Sequence, residues 1–212
     1  MLKKLIYLSG LCLFLVAAAG VSRADSLSFT LTEDGCSSGC GAGPYGTITL
    51  TQSGSNVDVT ETLASGYFYV NTGAGNPLAF NLNTVATPTD VQSATYFEAG
   101  GSASASTFGS FTNSIGCTSN CGHGGSNSLN IPQTLSFVVD GVDISNFVAN
   151  GNGNYFATDI GEEGSSGSII ATGNVGAPGN TTLAMAPEPT SLLLLGTGLL
   201  ALAATVKMKM SI

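Results

Sequence analysis

Basic residues are missing from most of this chain. The 212-residue sequence contains five Lys and Arg residues in total, and all five lie near its two ends. They are Lys3, Lys4, Arg23, Lys207 and Lys209. Residues 25–186 contain none of them, yet hold every acidic residue except Glu188. Binding to phosphate backbones depends on Lys and Arg, so nucleic acid is not expected among the partners of this acidic body.

Groups that usually carry catalysis are also scarce. The only histidine, His123, is flanked by Gly122, Gly124 and Gly125, which favours a solvated loop residue over a general base. If His123 is not a general base, a serine nucleophile has no other histidine to activate it. The pairs Asp140/Asp143 and Glu162/Glu163 could serve a glycosidase. Adjacent acids on a strand point to opposite faces, however, and turn acids usually face water. We therefore predict no catalytic residues and no enzymatic activity, with a glycan-active enzyme as the least favoured alternative.

The N-terminal segment has the three parts of a secretory signal peptide, predicted here for residues 1–24. Two lysines precede an apolar run over residues 5–19. Ser22 and Ala24 then place small residues at the −3 and −1 positions, so signal peptidase is expected to cut between Ala24 and Asp25. Cleavage after Ala19 is the alternative. No cysteine follows the cleavage site directly, so lipidation is not indicated.

The C-terminal segment has a second ordered series of signals. Pro187-Glu188-Pro189 precedes an apolar run over residues 192–206, and a tail with two lysines follows. Fifteen residues make roughly 22 Å of helix, which is short for a bilayer core but sufficient for a transient transmembrane segment. The lysines are expected to stay on the cytoplasmic side, with the acidic body outside. The two prolines keep the chain extended next to the membrane.

This arrangement resembles the PEP-CTERM sorting signal of Gram-negative bacteria. The resemblance covers residues 187–212 and rests on Pro187, Glu188 and Pro189, on the apolar segment with Gly196 and Gly198, and on the basic tail. It implies cleavage near the motif by an exosortase, transient residence in the inner membrane, and delivery to the cell surface or extracellular polysaccharide. The family's tail is usually rich in Arg, whereas this one has two lysines.

The body between these signals is predicted to be all-β. Hydrophobic residues alternate with Ser and Thr over residues 27–31 and 47–51, and a turn-rich segment, 52–56, joins the second run to another near 57–63. Further short strands are predicted at 67–70, 78–82, 91–97, 134–139, 154–158 and 168–172. Strands of this number and length favour a sandwich or jelly roll over residues 25–172, with a β-helix as the alternative.

Two segments of the body lack a strand pattern. Residues 100–118 are rich in Ser, Ala and Gly and are predicted to form a long loop. Residues 173–186 are predicted to form a flexible stalk leading to the sorting signal. On the predicted strands, Thr, Ser and Asn fill the outward positions, where hydroxyls and amides solvate the surface without charge.

Four cysteines remain after signal removal, in two similar C-x₃-C units. They are Cys36, Cys40, Cys117 and Cys121. An even number of cysteines in an exported protein favours disulfides, with three possible connectivities. A zinc site of four thiolates, or one using His123, is the alternative, but the common spacing is C-x₂-C. No cofactor is predicted, and zinc and calcium remain minor possibilities.

These features predict an exported surface or extracellular-matrix protein with a structural or adhesive role. A carbohydrate-binding module is the alternative, because tyrosines could stack on sugars. Tyr67 and Tyr69 share one strand face and could form such a platform, although packing in the core is the more common role of strand aromatics. The expected partners are signal peptidase, an exosortase and extracellular polysaccharide.

Overall fold

The structure is a computed structural model that describes residues 26–72, 76–121, 130–179 and the backbone of 181–184, and these ranges contain fifteen strands. Sheet A consists of β1 (Ser26–Leu31), β3 (Gly46–Ser53), β4 (Asn56–Leu63), β7 (Pro88–Thr89), β12 (Thr134–Val139) and β15 (Thr181–Ala184). Sheet B consists of β2 (Glu33–Cys36), β5 (Tyr67–Tyr69), β6 (Leu78–Phe80), β8 (Phe97–Gly100), β11 (Asn113–Cys117), β13 (Asn154–Glu163) and β14 (Ile169–Pro178). A separate hairpin contains β9 (Ala103–Ala105) and β10 (Gly109–Phe111).

All strand pairs are antiparallel. Sheet A has the order β15-β1-β3-β4-β12-β7, and sheet B has the order β2-β14-β13-β6-β11-β8, with β5 paired to β13. The all-β prediction is confirmed, and Ile144–Asn146 forms a short 3₁₀ turn. In those ranges, no helix is long and apolar enough to cross a membrane.

The two sheets stack face to face in a sandwich-like arrangement. Phe29 of sheet A meets Phe156 of sheet B with ring centroids 4.9 Å apart, and Phe80 of sheet B stacks on Phe137 of sheet A at 5.6 Å. All four side chains are almost fully buried. The alternation of the sequence produces this core, since every second residue of a strand points inward.

A second, smaller core lies on the other face of sheet B. The β9–β10 hairpin contributes Ala105, Phe108 and Phe111, which pack on Ala79 and Ala157. The strand β13 is consequently buried on both faces over most of its length. Its sequence therefore does not alternate cleanly between apolar and polar residues.

Glycines allow the hairpin to approach the sheet. A Cβ atom placed on Gly176 would lie 2.7 Å from Cε1 of Phe108, and one on Gly35 would lie 2.8 Å from Cε2 of the same ring. Either substitution would push the ring off the strands β2 and β14 that it covers. The glycines of this region thus belong to packed strands.

Several predicted segments need correction. Residues 100–118 are not a long loop, because β9, β10 and all of β11 lie within them. The predicted stalk is wrong for 173–178 and 181–184, since β14 continues to Pro178 and β15 pairs with β1. The predicted body therefore does not end at residue 172. The strand predicted at 91–97 is present only from Phe97, because 93–96 form turns. The other predicted strands are found: the one at 134–139 has the predicted ends, and the rest have shifted ends.

Candidate functional site

Some of the site residues predicted from the sequence lie outside the described ranges, and the others lie within them. The cleavage site at Ala24 and Asp25 and the sorting motif Pro187, Glu188 and Pro189 lie outside the described residues, as do His123 and the apolar segment 192–206. The four cysteines and the acid pairs are described. The tyrosines proposed as a sugar platform are also described.

The cysteines form two local disulfides, Cys36–Cys40 and Cys117–Cys121. Of the three connectivities left open by the sequence, the structure has the local one. The four-thiolate zinc site is wrong, because each sulfur is bonded to another. Cys36 ends β2 and Cys117 ends β11, so each disulfide closes a short loop directly after a strand of sheet B.

The first disulfide loop is held by a carboxylate and two tyrosines. Asp34 accepts hydrogen bonds from the backbone amides of Cys36, at 2.9 Å, and Cys40, at 3.0 Å. Tyr67 donates its hydroxyl to the carbonyl oxygen of Cys40 at 2.8 Å, and Tyr45 donates to that of Gly41 at 3.0 Å. Burial, with Asp34 and Glu162 nearby, raises the pKa of both tyrosines, so both stay protonated donors at neutral pH. Asp34 lies close to both sulfurs, but its two oxygens already stabilise the loop.

The second disulfide loop is held by neutral groups. Thr118 and Asn120 both donate side-chain hydrogen bonds to the carbonyl oxygen of Thr95, at 2.6 Å and 2.9 Å. The backbone amide of Thr118 donates to the carbonyl oxygen of Tyr96. Both loops are therefore held in place by hydrogen bonds to neighbouring segments of the chain.

The predicted sugar platform is absent from the surface. Tyr67 is 8% exposed and Tyr69 is fully buried, so core packing is confirmed for both. Among the described residues, no aromatic side chain is classed as exposed; Phe68, Tyr96 and Tyr155 are half-buried. A stacking surface for sugar rings is therefore not present in this part of the chain.

The two acid pairs lie in different surroundings. Asp140 and Asp143 are both exposed, and the Asp140 carboxylate accepts a hydrogen bond from Thr89 at 2.8 Å. Glu162 is half-buried beside Gly41, whereas Glu163 is exposed. The expectation that neighbouring acids diverge on a strand holds for this second pair.

Two other acids are fully buried, and sequence reasoning missed both. Glu61 of β4 points between the sheets, where Thr158 of β13 donates a hydrogen bond to its Oε1 at 2.6 Å. Burial raises the pKa of Glu61 to about 8, although hydrogen bonds from Thr158 and Tyr69 act in the opposite direction. The other carboxylate oxygen, Oε2, has no hydrogen-bond partner in the described structure. Glu61 is thus a carboxyl group that the fold favours in its neutral form.

Asp159 lies one residue further along β13 and on the opposite face from Thr158. Its oxygens accept hydrogen bonds from the backbone amide and hydroxyl of Thr72, at 2.9 to 3.1 Å. Burial raises its pKa, while the bonds from Thr72 lower it. The alternation 57, 59, 61, 63 could have placed Glu61 inside. No comparable signal marked Asp159, because its burial depends on chain segments distant in sequence.

The outer face of sheet A carries a regular array of hydroxyl groups. Four strands, β1, β3, β4 and β12, contribute one residue each to two adjacent rows of direct cross-strand partners. The first row is Ser28, Thr49, Thr60 and Ser136, and the second is Thr30, Thr47, Thr62 and Thr134. We call these eight residues the hydroxyl grid. All eight are half-buried or exposed, as the outward positions of the sequence pattern predict.

Comparison with known proteins gives no match for this chain: no family model, no curated sequence and no solved structure is significantly similar to it.

Proposed function

We propose that this chain is an exported cell-surface or extracellular-matrix protein with a structural or adhesive role, delivered by its C-terminal sorting signal. The two disulfides carry the proposal, since such bonds form and persist in oxidising compartments outside the cytoplasm. The proposed route begins with signal peptidase at Ala24 and continues through an exosortase at Pro187-Glu188-Pro189. The inner membrane holds the chain only transiently, through residues 192–206.

The surface of the body supports a structural role over an enzymatic one. Asp140, Asp143 and Glu163 are exposed, and Asp34 accepts hydrogen bonds within the first disulfide loop. Glu61 and Asp159 are buried with the hydroxyl partners Thr158 and Thr72. For the carbohydrate-binding alternative, the described residues offer no exposed aromatic platform. A structural body with an extensive polar face fits the site geometry best.

The sorting proposal is tested by replacing the motif. The variant Pro187→Ala/Glu188→Ala/Pro189→Ala keeps the apolar segment, so it should still insert but escape cleavage and accumulate at full length in the membrane fraction. Removing residues 192–212 should instead release the body as a soluble secreted protein. Immunoblots of cell fractions, from hosts with and without an exosortase, report size and location.

A matched control separates loss of the motif from loss of folding. Replacing two of the five prolines of the body, Pro88 and Pro132, leaves the sorting motif intact and should not block cleavage in chains that are exported. If the triple-alanine variant matures and reaches the surface like the parent, residues 187–189 are not a sorting signal. The segment would then be a plain membrane anchor.

A further inference from the structure

The hydroxyl grid repeats at fixed intervals in two directions. Neighbouring strands lie about 4.8 Å apart, and successive outward residues of one strand lie about 6.8 Å apart. The hydroxyls pair across strands at long distances, with 3.3 Å between Ser28 and Thr49 and 3.2 Å between Thr60 and Ser136. The contact between Thr62 and Thr134 is longer still, at 3.5 Å. Such long contacts are weak, so these groups can exchange them for bonds to a ligand.

The grid lacks the features of a protein-docking surface. Cores of protein interfaces are enriched in aromatic residues, Met and Arg. In the described ranges, the large hydrophobic residues classed as exposed are Val85 and Ile170, and neither belongs to the grid. A partner protein would find no apolar anchor on the eight hydroxyl positions.

The charge around the grid restricts the ligand further. None of its eight residues is ionisable, but the acid Asp58 borders the grid, opposite Thr51 and two residues before Thr60 on β4. Residues 25–186 contain no Lys or Arg that could attract a polyanion. An anionic polymer would therefore be repelled by the body as a whole, whereas a neutral polymer would not.

We propose that the hydroxyl grid is a binding surface for a neutral polysaccharide chain. Each Ser or Thr hydroxyl both donates and accepts hydrogen bonds, as sugar hydroxyls do. A single hydrogen bond between a protein hydroxyl and a sugar hydroxyl contributes little in water. Because the hydroxyls repeat regularly on both the grid and the polysaccharide, several such bonds can form at the same time. The inference rests on the proposed function in one respect, since export is what brings the body to extracellular polysaccharide.

The test measures co-sedimentation of the mature exported protein with microcrystalline cellulose, a neutral β-glucan, and retention on alginate-coated beads, a polyuronate. We expect the parent to sediment with cellulose and not to be retained on alginate. The variant Thr49→Val/Thr60→Val removes two central hydroxyls and keeps β-branched side chains suited to strands. Its apparent affinity for cellulose should fall by about tenfold.

A matched control carries Thr32→Val/Thr84→Val, two exposed threonines outside the grid. It should bind cellulose like the parent, and all three proteins should unfold at similar temperatures. The proposal is overturned if the double grid variant binds like the parent, or if the control loses as much affinity. It is also overturned if the parent prefers alginate, binds neither polymer, or sediments without polysaccharide through self-association. A negative result in the polysaccharide-binding test would not contradict the sorting proposal, because the sorting experiment measures processing and location of the protein.

Discussion

The two faces of sheet A are built from the same strands but follow different rules. On β4, Val57, Val59 and Glu61 point inward and are fully buried, while Thr60 and Thr62 point outward into the hydroxyl grid. Glu61 places a carboxyl group on the buried face, where an ionised group would cost most. The hydroxyl grid has no ionisable residue, although the exposed Asp58 lies beside it on the same outer face. Solvation alone therefore does not explain the position of Glu61, since an exposed position on the same strand would cost less.

The interior should be far more sensitive to substitution than the grid. Phe137→Ala removes a ring that is 2% exposed and stacks on Phe80, so we expect a loss of about 3 to 5 kcal/mol in the free energy of unfolding. Equilibrium denaturation in guanidinium chloride measures this loss. A change below about 1 kcal/mol would mean that the two sheets do not share a tightly packed core.

The buried carboxyl should give the inner face a pH response. The native state holds a proton on Glu61 up to pH about 8, whereas the unfolded chain loses it near the ordinary value of 4.5. The free energy of unfolding should therefore fall as pH rises between these values and level off above them. Across this pH range, the free energy of unfolding should fall by about 5 kcal/mol in total. Asp159 also has a raised pKa and contributes in the same direction.

The variant Glu61→Gln should flatten most of this dependence, with Asp159→Asn removing part of the remainder. Melting temperatures from pH 5 to pH 9 provide the measurement. The matched control is Thr60→Glu, which places a carboxyl one residue away on the exposed face and should leave the slope unchanged. An equal slope in the parent and in Glu61→Gln would show that Glu61 is ionised in the folded protein.

The grid should show the smallest effect on stability. We expect Thr49→Val/Thr60→Val to change the free energy of unfolding by about 0.5 kcal/mol or less, because the hydroxyl contacts are long and only partly buried. Urea denaturation of this variant beside the parent measures the difference. A large loss in the free energy of unfolding would mean that the cross-strand hydroxyl bonds stabilise sheet A. The two faces would then not differ in their sensitivity to substitution.

Sequence periodicity was sufficient for the elements that alternate. The strands β1, β3, β4 and β12 and the hairpin between β3 and β4 follow from the two-residue period, and so does the outward placement of Ser and Thr. The alignment of these residues into rows did not follow, because register depends on pairing between distant segments. Each row combines residues from four separate strands.

Composition was misleading where glycine fills packed strands. The segment 173–178 contains Gly173 and Gly176 and was predicted as a stalk, yet β14 needs Gly176 to receive the ring of Phe108. A single sequence cannot distinguish a glycine that permits close contact from one that gives flexibility. The burial of Asp159 was equally hidden, because Thr72 binds it from 87 residues away.

The pairing of β15 with β1 has a mechanical consequence. Ala184 lies opposite Ser26, so the first and last described residues leave sheet A side by side. A pull on residue 184 along the strand axis, away from the sheet, would load all four residue pairs between β15 and β1 in shear. Shear requires these pairs to yield together, whereas a pull across the strands would open them one after another. If sheet A is held and force is applied at the C-terminal end of the body, the pairing of β15 with β1 would therefore resist the force.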